Sequence, residues 1–156
     1  MLQITDFKAT DIDIVCEIQW AAYRPLYEKY RDDQTSPYKE SRETILQKYE
    51  RPGTKGYLLL KNGQPVGTVR VRIDAECQTG RISALCVHPA YQGQGIAQHA
   101  LLQIEKMHSD ISRWQLDTIL QEKGNCYLYE KLGYKRKERV EPLNDRMTLV
   151  FYEKVK

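Results

Sequence analysis

The sequence predicts a mixed α/β fold, with one mixed sheet and helices on both of its faces, and three observations favour it. An apolar run at residues 82–87 precedes a glycine-rich stretch, which is followed by apolar residues at helical spacing. The dipeptide Asn62-Gly63 separates two strand-like runs, and this is the strongest short-range signal for a hairpin. Residues 134–140 and 147–154 predict a final hairpin. The predicted order of elements is β-α-α-β-β-β-α-β-α-β-β.

The N-terminal part of the chain predicts one strand and two helices. Residues 2–8 alternate weakly between apolar and polar side chains, as a first strand would. The stretch Thr10-Asp11-Ile12-Asp13 is similar to a capping box and predicts the start of a helix that ends before Pro25. We expect this helix to bury Ile14, Val15, Ile18 and Ala22. A polar segment rich in tyrosine follows, and residues 41–49 predict a short second helix with Ile45, Leu46 and Tyr49 on one side.

The rest of the chain predicts the elements that surround the glycine-rich stretch. Strands are predicted at residues 56–61, 66–73, 81–87 and 114–120, with a turn near residues 78–80. In the strand at 66–73 we expect Arg70 and Arg72 to lie opposite the apolar side chains, and we interpret them as part of a solvated face. The helical pattern behind the glycines extends over residues 96–111. A short helix is predicted at residues 125–132, with Gly133 in the position that follows a helix end.

Composition predicts an ordinary soluble protein. The 156 residues are 41% hydrophobic and 29% charged, and we expect a single domain over residues 1–156. No apolar run approaches the ~20 residues of a membrane span, and the N-terminus lacks a signal-peptide pattern, so we expect a cytoplasmic protein without a membrane partner. The net charge of +3 is mild and the basic residues are interleaved with acidic ones, which argues against nucleic acid as a partner.

The four cysteines, Cys16, Cys77, Cys86 and Cys126, lack C-x-x-C spacing and a histidine at metal spacing. We interpret them as reduced thiols, mostly buried, and expect no metal site.

The glycine-rich stretch, residues 92–97, is the main functional signal. The first turn of a helix leaves backbone N–H groups without partners and carries the positive end of the helix dipole, which suits an anion such as phosphate. The stretch does not match the Rossmann pattern, because Gln98 stands where the third glycine would be. It does not match a P-loop either, because Ile96 follows Gly95 in place of lysine.

Two motifs instead resemble those of the GCN5-related N-acetyltransferase (GNAT) superfamily. Gln92, Gly95 and Ala97 fit its Gln/Arg-x-x-Gly-x-Gly/Ala motif for binding acetyl-CoA. Residues 125–134 are similar to its Leu-Tyr-x-x-x-Gly-Phe/Tyr signature and come in the expected order, one strand later. The resemblance covers nearly the whole chain. It implies an N-acetyltransferase that moves the acetyl group of acetyl-CoA to a primary amine by direct attack, without a covalent enzyme intermediate.

The resemblance also implies which residues form the site. The pantetheine arm would lie against the backbone of Leu85, Cys86 and Val87, where a free N–H polarises the thioester carbonyl. The pyrophosphate would rest on the loop made of Gln92, Gly93, Gln94, Gly95, Ile96 and Ala97. Tyr129 occupies the position of the family's general acid, because a phenol with a pKa of about 10 suits a departing thiolate. The alternative for Tyr129 is packing on an amphipathic helix.

Two positions depart from the family pattern. Glu122 stands at the spacing of the usual asparagine, so Asn125 either contacts the cofactor or caps the short helix. Arg81 stands where some relatives carry a glutamate base. The remaining candidates for the general base are Asp74, Glu76, Asp117, Asp32, Asp33 and, less favoured, His88. Because a base is not identified, a non-catalytic acyl-CoA-binding sensor or scaffold of the same fold is kept as the alternative function.

The tyrosine-rich segment is the candidate acceptor pocket. We expect Trp20, Tyr23, Tyr27 and Tyr30 to line it together with the region of Tyr38, because aromatic faces beside Asp32 and Asp33 suit a cationic amine. Packing along a helix edge is the alternative for these tyrosines. The sequence leaves open which small-molecule or peptide amine is the acceptor, and it leaves a homodimer open.

Overall fold

The structure is a computed structural model that describes residues 2–156. Seven strands form one sheet in the order β1-β2-β3-β4-β5-β7-β6. The strands are β1 Leu2–Asp6, β2 Thr54–Lys61, β3 Gln64–Asp74, β4 Thr79–Val87, β5 Arg113–Ile119, β6 Lys135–Asn144 and β7 Met147–Val155. The helices are α1 Ile12–Tyr30, α2 Arg42–Glu50, α3 Ile96–Met107 and α4 Lys123–Lys131. The predicted fold class and order of elements are confirmed.

The sheet is antiparallel except at its centre, where β4 and β5 are parallel. Their pairing covers only residues 79–81 of β4 and 113–115 of β5. After Arg81 the two strands separate, and their backbone groups no longer pair with each other. A wedge-shaped space therefore opens in the middle of the sheet, towards the end where α3 begins.

Helices cover both faces of the sheet, as adjacent residues of β2 show. Leu59 packs in the cluster that includes Leu101 and Ile104 of α3, whereas Leu58 packs with side chains of α1 and α2. Because successive side chains of a strand point to opposite faces, the two clusters lie on opposite sides of the sheet. None of the helices in residues 2–156 combines the length and the apolarity that a membrane crossing requires.

The prediction that the first helix ends before Pro25 is wrong. α1 contains Pro25 and ends only at Tyr30. The next residue, Arg31, has a left-handed backbone, and its N–H donates to the carbonyl of Tyr27 at 2.7 Å. A proline inside a helix removes one hydrogen bond and crowds the preceding turn. Here Ala22 and Tyr30, on either side of it, are buried against the rest of the protein, and this packing keeps the helix continuous.

The predicted ends of two other helices are also wrong. α3 ends at Met107 rather than at Ile111, and Ile111 closes a turn by donating to the carbonyl of His108 at 3.0 Å. The helical spacing misled because Ile111 is buried all the same, 2% exposed, whereas Met107 is 49% exposed. α4 begins at Lys123, two residues before its predicted start.

Tyr49 of α2 rests directly on the backbone of β2. A Cβ added at Gly56 would lie 2.3 Å from Cδ1 of Tyr49, so only glycine leaves room for the ring. The ring also packs against Phe7, with 4.5 Å between the ring centroids. Gly56 and Phe7 together fix α2 on the sheet through this one tyrosine.

Replacing Gly56 by alanine is therefore expected to destabilise the protein. The added methyl group forces the buried Tyr49 ring to move, and overpacking of this kind costs about 1–3 kcal/mol of unfolding free energy. Denaturant unfolding measures the loss. Gly124→Ala is the matched control, because no atom lies within 4 Å of its added Cβ and the position is helical; it should leave stability unchanged or raise it. Equal losses in the two variants would contradict the close contact.

Candidate active site

A cavity of about 920 Å³ occupies the space where β4 and β5 separate. Its walls come from α1, the segment between α1 and α2, Lys48 of α2, the strands β3, β4, β5 and β7, the loop before α3 with the first turn of that helix, and α4. Among the predicted site residues, the cavity wall includes Tyr23, Tyr27, Tyr30, Leu85, Cys86, Val87, Gln92, Gly93, Gly95, Ile96, Ala97, Asn125 and Tyr129. Trp20 and Gln94 do not belong to it. The cavity therefore joins the predicted cofactor motifs to the tyrosines of α1.

The loop before α3 presents free backbone to the cavity. Gly93 and Gly95 have φ of +79° and +76°, a left-handed conformation that glycine adopts without strain. No atom lies within 4 Å of a Cβ built on either residue, so the loop surface is open. Gly95 caps α3 without any side-chain hydrogen bond, and the N–H groups of the first helical turn have no carbonyl of the helix to bond to. This geometry suits a phosphate group.

Two glutamine side chains of the loop help to hold it in place. Gln92 donates from Nε2 to the carbonyl of Val87 at 2.9 Å, and Gln94 accepts a hydrogen bond from Lys61. His88 accepts from the N–H of Ala90 at 3.1 Å and caps a short 3₁₀ turn. His88 does not line the cavity, so its interpretation as a general base is not supported.

A bulge in β4 lies on the wall of the cavity. Thr68 pairs with Cys86 but Arg70 pairs with Ser83, so β4 carries one extra residue, and Ala84 has a left-handed φ of +50°. Cys86 lies 3.3 Å, sulfur to Oγ1, from Thr68, and burial raises the pKa of its thiol to about 11. A thiol with this pKa stays protonated at neutral pH, which is consistent with packing and not with a nucleophile.

Tyr129 projects from α4 into the same cavity. Its ring packs between Tyr134 and Tyr152, at 6.2 and 6.0 Å between ring centroids. Within residues 2–156 its hydroxyl group has no hydrogen-bond partner. Burial, with a smaller contribution from the charge of Asp117, raises the pKa of Tyr129 to about 12. The phenol is therefore a protonated, unengaged donor on the cavity wall.

Asp117 is the carboxylate of the cavity that combines burial with closeness to Tyr129. It lies on β5 and forms an ion pair with Arg81. Burial raises the pKa of its carboxyl group, and Arg81 opposes part of this effect.

The other candidate bases are less well placed. Asp32 lines the cavity, but its oxygens accept from the N–H groups of Gln34 and Thr35 at 3.1 and 3.0 Å and so form a turn. Asp33, Asp74 and Glu76 lie outside the cavity wall.

The predicted acceptor residues divide into different environments. The hydroxyl group of Tyr23 approaches the carbonyl of Leu85 at 3.5 Å, and burial raises its pKa well above the ordinary value. Tyr27 donates to Asp33 beside the ring of Tyr38. The other two predicted acceptor residues, Trp20 and Tyr30, have no free polar group in the cavity.

Trp20 and Tyr30 make structural contacts. Trp20 donates from Nε1 to the carbonyl of Glu40 at 2.9 Å and lies outside the main cavity. Tyr30 is 4% exposed, and its hydroxyl group donates to Glu122 at 2.5 Å. Because Tyr30 stands at the end of α1 and Glu122 precedes α4, this bond ties the two helices together.

Asn125 lies inside α4, so the interpretation of this residue as a helix cap is wrong. The residue that precedes the helix is Glu122, and no side chain caps it. The side chain of Asn125 instead reaches across to Thr118 at 3.5 Å, on the cavity wall.

Three charged cavity residues were not identified from the sequence: Arg70, Glu40 and Lys48. Arg70 was interpreted as part of a solvated face, and this is wrong, because α1 and α2 cover that face of β3 and leave only Arg72 exposed. Glu40 and Lys48 pair with each other between α2 and the segment before it. Their only sequence signal is opposite charge eight residues apart, which does not predict a contact.

Comparison with known proteins identifies the family. A model of the acetyltransferase (GNAT) family matches residues 14–134, which is more than half of the chain. The chain therefore belongs to the acetyltransferase (GNAT) family, and the predicted membership and acetyltransferase class are confirmed at that level.

Individual relatives are distant. The chain is 28% identical over 119 residues to the uncharacterized protein YrkN of Bacillus subtilis, and this match covers 76% of the chain but 64%, less than two thirds, of YrkN. Ribosomal-protein-S18-alanine N-acetyltransferase from Escherichia coli superposes with a TM-score of 0.80 at 17% identity, over 99% of this chain and 94% of that one. Spermidine N-acetyltransferase from Vibrio cholerae, solved with CoA and spermine, superposes with a TM-score of 0.79 at 15% identity. This match covers 99% of this chain and 95% of that one. At these identities the structures show a shared fold.

The contacts of Tyr30 predict a pH-dependent stability. Partial burial acts to raise the pKa of Glu122, but the hydrogen bonds from Lys29 and Tyr30 outweigh it and hold the pKa below its usual range. A carboxylate with a lowered native pKa stabilises the fold above the unfolded pKa of about 4.3, and this stabilisation is lost as the pH falls through the native value.

Tyr30→Phe is therefore expected to lower the unfolding free energy by about 1–2 kcal/mol at pH 7. The difference from wild type should shrink below about pH 4, where Glu122 becomes protonated. Denaturant unfolding over this pH range measures it, and Tyr127→Phe, at a tyrosine that is 70% exposed, is the control. A loss that is the same at pH 3 and pH 7 would assign Tyr30 to packing alone.

Proposed function

We propose that this protein is an N-acetyltransferase that moves the acetyl group of acetyl-CoA to a primary amine by direct attack. The observation that carries the proposal is the single cavity between the separated strands, which contains an open phosphate-type loop at one end and an unengaged phenol beside the β4 bulge. Family membership supports the reaction class.

The chain fits the co-substrate at three places. The N–H groups of residues 92–97 hold the pyrophosphate, and the left-handed backbone of Gly93 and Gly95 keeps that surface open. The backbone of Leu85, Cys86 and Val87, which β5 leaves unpaired, binds the pantetheine arm. Lys61, whose ammonium group already bonds to Gln94, adds a positive charge beside the loop. Acetyl-CoA supplies an activated acetyl group, whose C–S bond breaks as the C–N bond to the amine forms.

Tyr129 assists the departure of the sulfur. Its pKa of about 12 keeps the phenol protonated throughout the physiological range. The pKa is above the value of about 10 assumed from the sequence and above the ~8.5 of a thiol, so complete proton transfer is unfavourable at first. The hydroxyl group therefore acts first as a hydrogen-bond donor to the developing negative charge, and its proton moves to the sulfur as that charge becomes localised.

Asp117 takes the proton that the amine loses. A buried carboxylate with a raised pKa binds a proton more readily than an exposed one. Asp117 lies on the cavity wall with Tyr129, so the amine proton and the sulfur proton have separate partners. Arg81 keeps the carboxylate ionised and oriented before the amine arrives.

A non-catalytic acyl-CoA-binding protein is the second candidate. The observation that favours it is that Asp117 is already committed to Arg81. Release of free thiol from acetyl-CoA, measured over a panel of primary amines, separates the two candidates. A sensor binds acetyl-CoA but releases no thiol with any amine above the buffer background.

Binding of acetyl-CoA should depend on the loop before α3. Calorimetry of the wild-type protein is expected to give a saturable isotherm, and Gly95→Asp is expected to abolish it, because a carboxylate at the helix start repels the phosphates. Gly133→Asp is the matched control: Gly133 also has a left-handed φ, +97°, but lies at the far end of α4 and outside the cavity. A wild-type protein that ignores acetyl-CoA would overturn the proposed function.

Tyr129→Phe is expected to lower kcat about 10²-fold while the affinity for acetyl-CoA stays nearly unchanged. The ring remains and keeps its packing, but no proton donor faces the sulfur. Thiol release under saturating acetyl-CoA measures the effect, and Tyr127→Phe on the exposed side of the same helix is the control. The melting temperature of both variants must match wild type. An unchanged kcat would assign sulfur protonation to water and leave Tyr129 a packing role.

A further inference from the structure

Arg70 stands on the wall of the cavity at the acceptor side. It lies on β3 opposite Ser83 of β4, immediately before the bulge at Ala84. The positive charge of its guanidinium group acts on Tyr23 and on Cys86, so the group lies near both side chains. Leu85 is two residues beyond Ser83, about 7 Å along the strand. The guanidinium group is therefore carried within about one side-chain length of the backbone of Leu85, to which the proposed function assigns the thioester.

The guanidinium group of Arg70 has no anionic partner within residues 2–156. Its Nε is buried and makes no hydrogen bond, and Arg70 takes part in no salt bridge. The other basic side chain of the cavity wall, Lys48, is neutralised by Glu40. A buried donor without an acceptor costs free energy, so this arginine is unfavourable for folding as it stands.

The nearby carboxylates are all engaged by other groups. Glu40 bonds to Lys48 and Gln19, Glu122 to Lys29 and Tyr30, and Asp117 to Arg81. Asp32 accepts from the turn that follows it. None of these acids is free to move onto Arg70 without leaving its own partner unpaired. The charge of Arg70 is thus available to a ligand.

The position of the guanidinium group is fixed by aromatic packing. Arg70 stacks on the ring of Tyr49, with 5.7 Å from the guanidinium carbon to the ring centroid. Tyr49 is itself buried, and its ring packs on Gly56 and against Phe7. A planar fork of donors held in this way is preorganised for a carboxylate, and the ordering has been completed before the ligand binds.

We propose that the acceptor is an amine that also carries a carboxylate, as in an amino acid, and that Arg70 binds this carboxylate. The inference rests on the proposed function and names its substrate class. One unpaired cation matches one negative charge, which favours a carboxylate over a phosphate dianion. A polyamine of the kind named for the structurally similar spermidine N-acetyltransferase would bring only positive charge to Arg70, so we expect it to be a poor acceptor.

Matched acceptors test the proposal. Thiol release is measured with a panel of amino acids, each beside its own amide, and with spermidine and phosphoethanolamine. The amide has the more easily deprotonated amine, because it lacks the carboxylate that favours the ammonium form; preference for the acid therefore has to come from binding. The expected result is that wild-type protein prefers at least one amino acid over its amide and over the other two amines.

Variants then assign the preference to Arg70. Arg70→Gln should lower kcat/KM for the preferred amino acid about ten- to hundredfold and leave the amide nearly unaffected. Arg70→Lys should retain part of the preference, since it keeps the charge but not the fork. Arg72→Gln is the control, because it removes an exposed arginine from the same face of the same strand. An amide, spermidine or phosphoethanolamine as the best acceptor, or equal effects of the Arg70 and Arg72 variants, would overturn the proposal.

A second measurement distinguishes a wrong substrate class from a wrong proposed function. Calorimetry with acetyl-CoA is carried out on wild type and Arg70→Gln, and both should bind. Binding without a carboxylate preference overturns the inference and leaves the acetyltransferase proposal standing. If no amine is turned over, thermal unfolding tests whether Arg70 binds the amino acids. The panel amino acids should then raise the melting temperature of wild type and of Arg72→Gln more than that of Arg70→Gln. Equal shifts in the three proteins overturn the inference.

Discussion

The parallel pairing of β4 with β5 lasts for three residues, and every functional feature of the molecule depends on where it stops. Beyond Arg81 the unpaired backbone of β4 faces a cavity instead of a neighbouring strand. Backbone groups in a sheet interior are normally satisfied by the next strand, so a ligand with an extended, hydrogen-bonding arm is the natural substitute. α3 begins at the open end of the same gap and α4 closes one side of it. Separation of the two strands thus creates the cavity that holds the proposed binding surface, the proposed anion site and Tyr129 together.

Local patterns were sufficient for most of the fold and failed where packing decided. The order of elements and the loop before α3 follow from periodicity and from glycines, which are properties of neighbouring residues. The proline at position 25 predicts a helix end, but burial of Ala22 and Tyr30 outweighs the lost hydrogen bond and the helix continues. Tyr129 was found from a motif, whereas Arg70 was not, because its partner-free position depends on how α2 places Tyr49 over β3. Contacts between residues distant in sequence are what a single sequence does not contain.

The polar groups of the cavity form a nearly closed set of pairs. Asp117, Glu122 and Glu40 each form an ion pair with a basic side chain, and these pairs hold the partly buried carboxylates in place. Two polar groups of the cavity wall lack such a partner in the described part of the chain: the hydroxyl group of Tyr129 and the guanidinium group of Arg70. One is a neutral donor and the other a charged donor, and they come from opposite sides of the gap between the strands. Because the charges of those three carboxylates are already paired, the positions of these two donors determine which ligand groups can bind.

Because α1 is continuous through Pro25, the wall of the cavity that it forms can vary only in a restricted way. Because Tyr23 and Tyr27 are carried by a continuous helix, the wall they form has a fixed backbone and an i, i+4 spacing. Insertions or deletions there would rotate every later side chain of the helix by about 100° per residue. The shape of this cavity wall is therefore expected to change by exchange of single side chains on a rigid helix. Surveys of sequence variation should accordingly find constant length between residues 12 and 30.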